Sequence, residues 1–171
     1  MDIEWQQLII DAYERIARIL EKALYGLTTD ELNQQPNPDC NSMGWLTWHL
    51  SRWQDRIIAE LMDEEQLWIT GGWYGRFNRA PDTTDTGLGH TVKDLSEFNS
   101  PDARTLLEYH HAVLERSKRY IGSLSAADLG RETGHQRFPT VGARIIGVLS
   151  DNLQHAGQVA YLRGLLKGFA L

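Results

Sequence analysis

Cysteine is almost missing from this chain of 171 residues: Cys40 stands alone. A single thiol excludes an internal disulfide and every Cys-x-x-Cys metal or redox motif. Long apolar runs are missing as well; none approaches the roughly 18 residues of a membrane span, so no membrane partner is expected. Positive charge is in deficit, with 17 Lys and Arg against 23 Asp and Glu, a net charge of -6 and a pI near 5.5. No basic stripe offsets that balance, and phosphate would be repelled, which argues against a nucleic-acid partner. The opening residues MDIEWQQLII have neither a basic start nor a small-residue cleavage site. No signal peptide is therefore expected, and the expected location is the cytoplasm. What remains is an ordinary globular composition, 42% hydrophobic and 23% charged, most economically one domain over residues 1–171.

Helical periodicity dominates what is there. Over residues 3–26, Trp5, Leu8, Ile9, Ala12, Tyr13, Ile16, Leu20, Ala23 and Leu24 recur at steps of three and four, which predicts a first helix. Thr28 and Glu31 form a capping-box pattern that opens a short turn, and QPNPDCNS then breaks the periodicity. A second helix is predicted from Ser42 to Met62, with Leu46, Leu50, Trp53, Ile57 and Leu61 as its stripe. His49 sits on the flank of that stripe, with Trp45, Trp48 and Arg52 further round. From Gln66 to Asn99 the periodicity fails. That stretch holds five glycines, five aromatic residues and His90, and reads as a binding loop or a wrapped crossover. Ser100 as cap, with Pro101 at the first helical position, predicts a third helix carrying Leu106, His110, Val113, Leu114 and Ile121. A fourth long helix is predicted from Thr140 to Lys167, stopped by Gly168. Four long helices joined by connections make an all-α four-helix bundle with a long loop between helices two and three.

The fourth helix carries the chemistry. Its apolar stripe of Val141, Ile145, Val148, Val159, Leu162 and Leu166 includes an acid and a histidine one turn apart, Asp151 and His155. Residues four apart on a helix project over one face and can share a metal, although the His-Glu-x-x-His motif itself is absent. If helices two and four pack face to face, His49 can join them. Two imidazoles and a carboxylate suit zinc, nickel or ferrous iron with positions left open. The spacing alone equally allows a buried polar cluster in which Asp151 pairs with Arg144 or His155. Glu108 with His111 supplies half of a di-iron pattern, and helix four does not supply the other half. A second arc on the same helix, through Gly142, Ala156, Ala160 and Gly164, lets a neighbouring helix or a second copy of the chain approach closely.

The segments MGWLTWHLSRWQDRII and DNLQHAGQVAYLRGLLKG resemble the second and last helices of DinB-like proteins, the damage-inducible four-helix bundles. GLTTDELN, EEQLW, GLGHT and YHHAVLERS fall in the matching order, so the resemblance spans nearly the whole chain. It implies a divalent metal, zinc or nickel ahead of iron, on His49, Asp151 and His155, with an acid where many members carry histidine. It further implies a metal-dependent transferase or isomerase that uses a low-molecular-weight thiol of the mycothiol, bacillithiol or glutathione kind on a small-molecule substrate. A metal-dependent hydrolase and a non-catalytic, dimeric metal-binding stress protein are the alternatives. The pocket is expected to be walled by Trp45, Trp48, Arg52, Trp53, Trp73 and His90, with Gln158 orienting a ligand, and the expected assembly is a homodimer.

Overall fold

In the computed structural model, which describes residues 4–168, the chain is all-α. Eight helices run in order: α1 (Trp5–Leu24), α2 (Thr29–Asn33), α3 (Met43–Met62), α4 (Leu67–Thr70), α5 (Trp73–Arg76), α6 (Val92–Glu97), α7 (Ala103–Ser123) and α8 (Val141–Lys167). A 3-10 turn, Ala127–Gly130, separates the last two. Three of the long helices, α3, α7 and α8, and the short α2 start where a side-chain oxygen satisfies a free N–H group, whereas Glu4 before α1 makes no such bond. Ser42 accepts from the Trp45 amide at 3.2 Å, Thr140 accepts from Ala143 at 3.2 Å, and Thr28 closes a full capping box with Glu31. The start of α7 differs from the expected one. Asp102, not Ser100, is its cap and accepts from Thr105 at 2.8 Å. Ser100 is taken up elsewhere, donating its amide to Asn33 Oδ1 at 2.7 Å, and Pro101 lies before the helix. The expected first residue of helix one, Ile3, lies outside the described residues.

The four long helices occupy the corners of a square, with α3 and α1 each packed against both α7 and α8. The largest apposition is α3 on α8, the face-to-face packing that the site requires. The core falls into two apolar clusters. One gathers Leu20, Leu24, Trp48, Leu50, Tyr109 and Val113; the other gathers Tyr13, Ile57, Ile58, Ile121, Ile145 and Val148. Along α3 and α8 a buried polar layer falls between them. Asn152 donates to Gln54 at 2.6 Å, Gln54 donates to Ser117 at 2.7 Å, and Ser51 pairs with His110 at 3.1 Å. Buried hydrogen bonds of this kind fix which residues face one another across a bundle.

The connection between α3 and α7 is a folded crossover with three short helices, each too brief for periodicity to reveal. Arg52 on α3 organises it from below. This guanidinium is fully buried and donates to the Asp85, Asp82 and Thr83 carbonyls, to Gln66 Oε1 and to the Tyr109 hydroxyl, at 2.9–3.4 Å. Asp55 balances its charge at 3.6 Å. Burial pushes the Asp55 carboxyl up, against the pull of the Leu67 and Trp68 amides and the Tyr109 hydroxyl that donate to it. On α8, neighbours within the chain take part of the small-residue arc: Gly142 lies against Leu129, and Ala156 is buried. No described helix is long and apolar enough to cross a membrane.

Candidate metal centre

The packing of α3 on α8 brings His49, Asp151 and His155 together, with one ligand atom of each inside 4.8 Å of the others. Each histidine has its ring orientation set from outside the trio. A backbone carbonyl can only accept, so the contact between His49 Nδ1 and the Thr86 oxygen makes Nδ1 the donor and leaves Nε2 as a lone pair. Gln158, one turn beyond His155, accepts from His155 Nδ1 at 2.7 Å with the same result. Outer partners that hold imidazoles in the ligating tautomer are a regular part of metal sites. The rings meet edge to face with centroids 4.9 Å apart, and Trp45 stacks on the other face of His49 at 4.8 Å.

Asp151 completes the set. Its Oδ1 lies 3.6 Å from His155 Nε2, too long for a hydrogen bond, and its buried Oδ2 has no partner at all. A carboxylate oxygen removed from water without a donor is costly. With both imidazoles in the ligating tautomer, two lone pairs and the carboxylate beside them make a donor set that fits a divalent cation. Arg144, the alternative partner for Asp151, is instead ion-paired to Glu60. Burial holds the His49 imidazolium pKa below its ordinary value. Burial alone would do the same to His155, but Asp151 and Gln158 together outweigh it and raise the value. A neutral His49 is ready to bind a metal, and a metal has to compete with a proton at His155.

The crossover delivers the Thr86 carbonyl through Gly87, whose φ of +87° favours glycine. A Cβ there would lie 2.7 Å from the Trp45 ring, 2.9 Å from Trp48 and 3.2 Å from His49 Nδ1. His90 secures the same turn: it accepts from the Trp45 indole at 3.0 Å and faces Asp85 Oδ1 at 3.2 Å. Asp85 is also held by Arg79 at 2.6 Å.

His49 and Asp151 open onto a cleft of about 690 Å³, whose apolar wall includes Trp53, Ile57, Leu88 and Phe138. Of the aromatic wall expected from the sequence, Trp53 lines this cleft. Trp48 is fully buried under the crossover, against Phe98 and beneath Arg79. Arg52 is committed to the crossover, and Trp73 packs on Tyr109 under Arg76. Gln158 serves His155. The residues that sequence reasoning missed are Leu88 and the group His135, Arg137 and Phe138. The last three lie in a short aperiodic connection, and their one signal was a run of cationic and aromatic residues just before the helix that carries Asp151. Glu108 and His111, the half-pattern for a di-iron site, point outward to Arg76 with Arg104 and to Glu21.

Two comparisons bear on kinship. The sequence model of the DinB superfamily matches residues 12–159. A crystal structure described as a conserved protein from Enterococcus faecalis superposes with a TM-score of 0.88 at 26% sequence identity, covering 98% of this chain and 100% of that one. No curated protein matches the chain at a significant level. With the family match reaching all four long helices and a solved structure of the same fold beside it, this protein belongs to the DinB superfamily.

Proposed function

We propose that this protein is a metal-dependent enzyme that presents a low-molecular-weight thiol to an electrophilic small molecule, as an S-transferase or isomerase. The observation that carries this reading is where the trio sits. The trio supplies three protein donors, and two of them, His49 and Asp151, border an open cleft, whereas structural metal sites close on four. A divalent ion held there, zinc or nickel by the donor chemistry, would supply Lewis acidity that lowers the pKa of a thiol or a water molecule. The chain's own residues do the rest. Thr86 and Gln158 keep both imidazoles in the ligating tautomer, Trp45 clamps the His49 ring, and Trp53, Ile57 and Phe138 give the cleft an apolar wall. The thiol part of the reading draws on the superfamily resemblance, and the open cleft serves a hydrolytic water equally well.

Metal analysis of protein made without an affinity tag is expected to give about one divalent ion per chain, with His49→Ala and His155→Ala each abolishing it. Full retention in both variants would remove the trio from consideration. Incubation with each thiol and a panel of electrophiles is then expected to give turnover; silence with every pair would leave a metal-binding protein without catalysis.

A second copy belongs to the same reading. On α8, Ile146, Leu153, Tyr161 and Leu165 are all more than half exposed. They lie within an arc of roughly 120° on the helix. Gly157 and Gly164 lie within that arc with open space above them. We take this as the face on which two copies of the chain meet.

A further inference from the structure

Between the 3-10 turn and α8 the chain makes a small hairpin, bridged at Glu132 and Thr140 and closed by Thr133 donating to the Pro139 carbonyl at 2.8 Å. It carries three of the residues that line the metal cleft. The Phe138 ring lies over Gly147 of α8, where a Cβ would stand 3.2 Å from it. His135 stacks on that ring at 5.7 Å, and its Nδ1 accepts from the Phe138 amide at 3.1 Å, which leaves Nε2–H free to donate. The Arg137 guanidinium lies 5.3 Å from the ring centre, and none of the ion pairs among the described residues includes it. Arg144, buried in the first turn of α8, borders both this cleft and an adjoining one of about 450 Å³. Its Nη2 is given to Glu60, while its Nε–H is buried with no acceptor.

These groups share one chemical character. In a chain of net charge -6, the wall beside the metal trio offers N–H donors on two guanidiniums and an imidazole, and Glu60 balances only one of the cations. A planar guanidinium fork matches a carboxylate, and charge-assisted hydrogen bonds are the stronger kind. We propose that this wall is an anion subsite in which Arg137, assisted by the free Nε–H of Arg144 and by His135, receives a carboxylate of the molecule bound in the cleft. The thiol or its acceptor is then an acid. The inference rests on the proposed function only in taking this cleft as the place where the small molecule binds.

The test is calorimetric titration with succinate and with its uncharged counterpart succinamide, on metal-stripped and on zinc-loaded protein. Succinate is expected to bind roughly ten-fold tighter than succinamide in the metal-stripped protein. Arg137→Gln is expected to erase that gap while leaving the melting curve and zinc stoichiometry unchanged, since Arg137 is exposed and outside the trio. Equal affinity for the two compounds, no binding of either, or an unaltered gap in the variant would overturn the subsite. Tighter binding of inorganic phosphate than of succinate would overturn the carboxylate assignment. Because the deciding comparison needs no metal and no thiol, loss of the metal reading leaves it intact, and the reverse also holds.

Discussion

His110 is sealed inside the bundle, with Nδ1–H donated to Ser51, whose own hydroxyl is given to the Thr47 carbonyl, and with Nε2 left without a partner. Burial drives its pKa down from 6.5 to about 3, so the folded protein holds it neutral where the unfolded chain would protonate it. A depressed folded-state value means stability that is complete above pH 6.5 and drains away as the pH falls toward 3. The loss across that window is on the order of 5 kcal/mol. His110→Asn keeps a donor for Ser51 and removes the titration. In metal-stripped protein its urea unfolding free energy is expected to fall less steeply from pH 7 to pH 4 than that of the parent; parallel slopes would contradict the assignment. His110 also shows which residues could be read in advance. Helical spacing placed it on an inward face, and the same arithmetic placed His49, Asp151 and His155. The two groups that set the histidine tautomers divide differently. Gln158 lies one turn from His155 and was visible on the helix, whereas Thr86 contributes a backbone carbonyl, which leaves no mark in a sequence. Arg52 and Trp48 were misread for one reason: a helical wheel shows which side a residue faces and not what covers that side.

At the scale of elements, the crossover between α3 and α7 is held by one buried guanidinium. Arg52→Lys keeps the charge but cannot reach the Asp85, Gln66 and Tyr109 oxygens together, since an ammonium has no planar fork. The substitution is expected to cost about 3 kcal/mol in stability, as breaking a buried charged network does. Because the Thr86 carbonyl sits just past the Asp85 anchor, zinc affinity is expected to fall by about ten-fold as well. Chemical denaturation and competitive zinc titration measure the two effects; a stability loss with unchanged zinc affinity would show that the crossover does not control His49. The long helices were legible because amphipathic periodicity extends over five turns or more, and the caps Ser42 and Thr140 mark two of the starts. The crossover was not, because helices of four to six residues are specified by contacts with Arg52, Asp55 and Tyr109 and hardly at all by local pattern. At α7 Asn33, 67 positions earlier in the sequence, takes up Ser100 and leaves Asp102 as the cap.

At the scale of the molecule, the square arrangement buries one side of each long helix and leaves the outer face of α8 apolar. Leu153→Glu places a charge in the middle of the proposed contact between copies, at a position 56% exposed within one chain. It is expected to convert a dimer to a monomer in sedimentation velocity while leaving the melting temperature of dilute protein nearly unchanged. A parent protein that sediments as a monomer at micromolar concentration would dismiss the interface. Bundle class and helix pairing followed from the sequence because each apolar stripe must be covered. The cleft did not, because it is space left between a hairpin and two helices. The Thr86 carbonyl that holds His49 belongs to the segment that Arg52 holds down. Ordering of that segment and occupancy of the trio are therefore two sides of one thermodynamic cycle, and each must favour the other by the same factor. Were the trio to hold an ion, its loss would loosen the segment beside His49 and its return would close it again.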